Sequence, residues 1–162
     1  MRSRYISRNT KIKLYKTLIR PVLMYGAETW ALNKEYENKL AVFERRILRR
    51  IYGPVCEMGR WRIRHNAELY QYFKEPDIVR EIKARRVRWL GHLYRTEEQH
   101  PTRMLTFNTV YGNRRVGRPP TRWLQYVEDD LLRSGIGAWK RIVNDRNGWK
   151  RIVGAVEAGK RL

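Results

Sequence analysis

The one run of side chains in this chain with the makings of a divalent-cation site is Glu128-Asp129-Asp130. Carboxylates can hold one or two metal ions, and such ions are a common means of activating a phosphoryl group. That chemistry needs carboxylates converging from separate parts of the chain, and no second convincing acidic cluster accompanies this one. The run also falls inside a helical pattern whose buried side is marked by Trp123, Val127 and Leu131, which predicts a solvated helix face for the acids. His65, His92 and His100 form no i, i+4 pair and have no partner cysteines, so no metal site is expected. The lone Cys56 excludes an internal disulfide and a multi-cysteine zinc site. No glycine-rich phosphate loop, serine elbow or Cys-His arrangement appears. The chain is therefore expected not to be an enzyme and to use no metal or cofactor.

The residue types favour anion binding instead. Lys and Arg number 36 against 16 acids, a formal charge of +20, in a chain of 162 residues with 42% hydrophobic content. That apolar fraction suits a globular domain, and the charge disfavours a compact monomer unless a polyanion neutralises it. Nucleic acid is the first candidate and an anionic membrane surface the second. No apolar run approaches the roughly 20 residues that span a bilayer. The start, with Arg2, Arg4 and Arg8, has no signal-peptide core, so a nuclear or cytoplasmic location is expected and no membrane partner. Arginines and aromatics interleave around Trp61, Trp89 and Trp123. Guanidinium groups bind phosphate bidentately and aromatic faces can stack on bases, but tryptophans at stripe positions are more simply core. The candidate phosphate ligands are Arg45, Arg46, Arg49, Arg50, Arg62, Arg64, Arg85, Arg86, Arg88, Arg118 and Arg122.

Helices must position these groups. Asn9 and Thr10 can cap a helix carrying Ile12, Tyr15, Leu18, Ile19 and Val22, which Pro21 is expected to kink or end near Arg20. Asn33 caps a second, with a stripe of Tyr36, Leu40, Phe43, Ile47 and Ile51, stopped by Gly53-Pro54. Residues 54 to 60 read as a loop, and Asn66 caps a short helix through Phe73. Pro76-Asp77 opens another, with Ile78, Ile82, Trp89 and Leu93 inward. Alternation from Met104 to Tyr111, followed by Gly112-Asn113, predicts an extended segment or hairpin. Gly117-Arg118-Pro119-Pro120 reads as a basic loop; its first three residues resemble the core of an AT-hook, and a phosphate-contacting loop is the plainer reading. Thr121 caps a helix to about Arg133, closed by Ser134-Gly135. The tail repeats WKRIV at 139–143 and 149–153, predicting two helices with Trp and Ile inward and Lys-Arg outward. The fold class is mainly α, in three segments, 1–55, 56–101 and 102–162, the last beginning with the hairpin or loop.

Several stretches, taken in order, resemble one family. They are KIKLYKTLIRPVLMYGAETW at 11–30, FERRILR at 43–49, WRIRHNAELY at 61–70, RRVRWLGHL at 85–93 and GRPPTRW at 117–123. Together they are similar to the thumb and post-thumb region of non-LTR retrotransposon endonuclease-reverse transcriptases of the RTE and Jockey-like groups. The resemblance covers nearly the whole chain and implies a helical, thumb-like bundle followed by a small helical C-terminal region. In that family an endonuclease nicks target DNA and the polymerase copies element RNA from the nick, while thumb and C-terminal segments hold template-primer duplex and element RNA. The implied partners are RNA, DNA or an RNA–DNA duplex. None of the matching stretches is catalytic, so no catalytic residue carries over, and the palm and endonuclease are expected to be missing here. Tyr126-Val127-Glu128-Asp129-Asp130 has one residue too many for the family's metal-holding Tyr-x-Asp-Asp turn. The competing expectation is a degenerate remnant, non-functional or binding another protein through an exposed apolar thumb face.

Overall fold

In the computed structural model, which describes residues 5–108, 117 and 122–160, the first helix opens at Ser7. The Ser7 hydroxyl accepts from the Thr10 backbone N–H at 3.1 Å, so the cap lies just before the Asn9-Thr10 pair. Helix α1 (Arg8–Leu14) passes into a π-helical turn (Tyr15–Ile19) and on into α2 (Arg20–Leu23). Pro21 thus does not end the helix. A proline lacks an N–H, and its ring collides with the carbonyl four residues back. Widening the preceding turn relieves that collision, and the Arg20 N–H donates to the Tyr15 carbonyl five residues back. Tyr15 and Arg20 are both buried as a result.

A 3₁₀ turn (Ala27–Thr29) precedes α3 (Lys34–Tyr52), which is capped as expected. The Asn33 side chain accepts from the Tyr36 N–H at 2.9 Å, and Gly53 ends the helix with φ 73°. Its buried side departs from the expected stripe. Ile47 and Ile51 are inside, Tyr36 and Phe43 are exposed, and Glu44 and Leu48 take inward positions. Residues 54–60 are not simply a loop: β1 (Val55–Glu57) pairs antiparallel with β2 (Arg60–Arg62), placing Cys56 opposite Trp61. Met58 and Gly59 form the tip with φ of 48° and 76°, the positive pair that two-residue hairpins require. Helix α4 (Asn66–Phe73) is capped by the Glu68 carboxylate, which accepts from the His65 N–H at 2.7 Å. Asn66 is the first helical residue rather than the cap, and its amide oxygen accepts from Arg49 at 2.7 Å.

These elements bury Tyr15, Leu48, Ile51, Leu69 and Phe73 in one core. Beside it sits a buried carboxylate. Glu44 accepts from Tyr15 Oη at 2.8 Å, from Tyr70 Oη at 3.3 Å and from the Ile78 N–H at 2.9 Å. Arg20 lies 3.8 Å from it and pairs at 3.1 Å with both Glu75 and Glu81. Burial raises the Glu44 pKa above the carboxylate range and pushes the Tyr15 and Tyr70 phenols up as well.

The described residues form two compact units, one reaching to Ala27 and including Asn33–Glu81, the other Glu28–Leu32 with Ile82 onward. Helix α5 (Ile78–Arg95), opened by Asp77 accepting from the Arg80 N–H at 3.0 Å, runs through the boundary. In the second unit α5 buries Val87 and Leu90 against Val127 and Leu131 of α7 (Trp123–Arg133). Helix α6 (Pro101–Phe107) stands where an extended segment was expected over residues 104–107. Pro101 suits the first turn, and Phe107 packs edge-on to Tyr94 at 5.6 Å, so tertiary packing overrides the alternation. Residues 109–111 and Gly112-Asn113 lie outside the described residues, as does the Thr121 cap.

The repeated pentapeptides start α8 (Trp139–Ile142) and lie within α9 (Arg146–Ala158). Trp139, Trp149 and Ile152 are buried and the Lys-Arg pairs are exposed, but Ile142 is exposed, with Val143 taking the inward place. Helix α8 is one turn long, too short to present the face that α9 presents. Trp149 lies against Gly91 of α5, where an added Cβ would stand 2.0 Å from its Nε1. That nitrogen donates to the Val87 carbonyl at 3.2 Å. Gly91→Ala is therefore expected to destabilise this unit by roughly 1–3 kcal/mol, although alanine is the better helix former. A urea midpoint equal to the unsubstituted chain's would show that Trp149 does not seat there. Among the described residues no helix is long and apolar enough to cross a membrane.

Candidate nucleic-acid interface

The last two turns of α3 and the segment after β2 form the sides of one cleft. Arg46, Arg49 and Arg50 come from the helix, Ile63 and Arg64 from the strand side, with Val42, Gly53 and Pro54 between them. The cleft has a volume of about 510 Å³. Two of its arginines are held in place. Arg49 donates to Asn66, and Arg64 Nε donates to the Gly53 carbonyl at 3.1 Å while its guanidinium lies 4.8 Å from the Tyr72 ring centre. The sequence dictates this gathering: i, i+3 and i+4 spacing puts Arg46, Arg49 and Arg50 on one helix side, and the Gly53 turn folds the chain back beside them. Four arginines lining one open cleft suit a chain of phosphates better than one small anion.

Two other candidates from this region stand elsewhere. Arg45 is half-buried on another side of α3, close enough to Tyr70 to influence its phenol. Arg62 is clamped between carboxylates. Its Nε donates to Glu57 at 2.8 Å and its Nη2 to Glu68 at 2.6 Å. These bonds hold Glu57 below the carboxylate range and Glu68 down to about 2, the latter helped by the His65 N–H. Since both folded values lie below the unfolded ones, the clamp is complete at neutral pH and is lost only as pH falls toward the folded values. Its work is to tie the hairpin to the start of α4.

In the second unit, Arg85, Arg88, Trp89, His92 and Arg95 share one side of α5 and line a groove of about 530 Å³ with Glu28. Trp89 and His92 stack at 5.1 Å, and Arg95 donates to the Val143 carbonyl at 2.7 Å. Burial and nearby Arg146 lower the Arg95 pKa. Arg86 departs from the expected set. It is 0% exposed and pairs at 3.3 Å with Asp130, which also meets Lys83 at 2.9 Å. Arg86 cannot reach a ligand, and Asp130 is not on a solvated face. Of the other acids, Asp129 is exposed and Glu128 accepts from Trp139 Nε1 at 3.2 Å. Arg122 lines a separate, largely apolar cleft with Trp89, Leu93, Leu105 and Trp123, while Arg118 lies outside the described residues. Among the described residues no group of His, Cys, Asp or Glu is arranged to hold a metal ion.

The buried pair had a signal in the pattern. Arg86 continues the series Ile82, Arg86, Leu90 at four-residue steps, and Asp130 follows Val127 by three, so each lies on a core-facing stripe. Glu44 likewise sits three and four residues before Ile47 and Leu48. His92 and Arg95, which the expected set omitted, join the groove by continuing the helix face of Arg85 and Arg88.

The chain is 25% identical over 149 residues to an uncharacterized transposon-derived protein of Caenorhabditis elegans. The alignment covers 88% of this chain and 53% of the relative, so the chain spans about half the relative's length. No family model and no solved structure matches it.

Proposed function

We propose that this chain is a nucleic-acid-holding piece of a non-LTR retrotransposon reverse transcriptase, its thumb and the segment after it, with no chemistry of its own. The observation that carries the reading is the arginine cleft of the first unit, with Arg46, Arg49, Arg50 and Arg64 gathered on one open surface. Similarity to a transposon-derived protein supports the mobile-element origin, and the ordered sequence stretches support the finer assignment. The partner is RNA, DNA or their hybrid, held through phosphates without strong sequence choice. If about six phosphates are engaged, binding should weaken with salt at a log–log slope of roughly −4 to −5. Replacing Arg46, Arg49 and Arg50 together by alanine should lower affinity and flatten that slope by about 2–3, with helical circular dichroism retained. A flat salt response, or a triple variant that binds as before, would overturn the proposal.

A second reading, a remnant that binds another protein, is favoured by the exposure of Leu18 and Val22 on the first helical segment and of Tyr25 in the turn after it. It would show as a homo-oligomer that forms without nucleic acid.

A further inference from the structure

We infer that the arginine cleft takes unpaired nucleotides in preference to blunt duplex, with Trp61 as the platform on which a base stacks. The inference rests on the cleft being a nucleic-acid site and adds which form of nucleic acid it takes. Trp61 is 73% exposed, whereas the other tryptophans among the described residues are buried or half-buried. Exposed apolar side chains are ordinary when scattered, but this one has company. Ile63 is exposed two residues on, and Cys56 stands directly across the hairpin. Alternation along β2 puts Trp61 on the side opposite Arg60 and Arg62. Ile63 follows β2 directly and lines the arginine cleft, so Trp61 lies two residues along the chain from the cleft wall.

A flat ring beside guanidinium groups is the arrangement that grips single strands, because phosphates track the charge while bases meet the aromatic face. Bases inside an intact duplex are stacked on each other and offer no face without being pulled out. The hairpin is also held rather than swinging, since Arg62 ties Glu57 of β1 to Glu68 of α4. In the other basic groove, by contrast, Trp89 already stacks on His92.

The test uses the full chain with a single strand of about 16 nucleotides and its blunt duplex, at matched salt. Trp61→Ala should weaken single-strand binding by roughly 5- to 150-fold, the loss of about one base stack, and leave duplex binding within about twofold. Trp61→Phe should restore most of the single-strand affinity. An unchanged single-strand affinity in Trp61→Ala would overturn the platform while leaving the phosphate cleft standing. Equal losses on single strand and duplex would also overturn it, since they would mark a hairpin out of position. Absence of salt-dependent binding by the unsubstituted chain to either probe would overturn both readings.

Discussion

Replacing Glu44 with alanine is expected to cost the first unit about 3–5 kcal/mol, the usual effect of removing one member of a buried charged network. Glu44 accepts from Tyr15, Tyr70 and the first N–H of α5, so its loss strands two buried donors, the Tyr15 hydroxyl and the Ile78 N–H, and takes the acceptor from part-buried Tyr70. Arg20 keeps Glu75 and Glu81, which limits the damage on the cationic side. Against a typical domain stability of about 5–15 kcal/mol, the unit would be left close to unfolding. Glu44→Gln keeps one acceptor oxygen and should lose distinctly less. Urea denaturation followed by far-ultraviolet circular dichroism reads the difference, and a midpoint for Glu44→Ala equal to the unsubstituted chain's would refute the network. The sign with pH follows from burial. Because the folded pKa is raised, the contribution of Glu44 is complete below the ordinary carboxylate range and declines as pH rises through the raised value. Glu44→Gln should remove that decline.

The second large effect is expected at Asp130. Asp130→Ala takes the carboxylate away from fully buried Arg86 and from Lys83, and should cost the second unit about 3–5 kcal/mol. Neighbouring Asp129 is exposed, and Asp129→Ala should change stability by no more than about 0.5 kcal/mol. Thermal unfolding of the two variants side by side checks the contrast. Equal melting temperatures for both would show that the Arg86 pair does not hold this unit. A magnesium-dependent cleavage that disappears in a folded Asp129→Ala protein would instead restore the enzymatic reading that the acidic run first suggested.

Local signals of helix start and stop were written plainly in the chain. Asn33, Gly53 and Asp77 act where their side chains or φ preferences say they should, because a cap depends on residues within one turn. The hairpin was harder to see, since Met58-Gly59 is not one of the dipeptides that announce a primed turn and its strands are three residues each. Alternation through Met104 to Phe107 pointed to a strand, yet Phe107 gains more by packing on Tyr94 than the pattern suggests. Among the candidate ligands, spacing alone brought Arg46, Arg49 and Arg50 together, and Arg64 joined through the reversal at Gly53. Arg62 and Arg86 are instead occupied within the fold. An arginine's charge is visible in sequence, but the carboxylate that occupies it (Glu68 six residues on, Asp130 forty-four residues on) is brought up only by the fold.

The π turn before Pro21 bears on how this chain can vary in length. It absorbs one residue more than an α turn while bringing both Tyr15 and Arg20 to Glu44. Four residues between those two demand the wide turn, whereas three would put the pair at ordinary helical spacing with the same side chains inward. A single-residue gap between Tyr15 and Arg20 is thus a tolerable event in the history of such sequences, provided Pro21 goes with it. Insertions or deletions in α3, which holds Glu44 and the cleft arginines in one unbroken phase, have no such allowance.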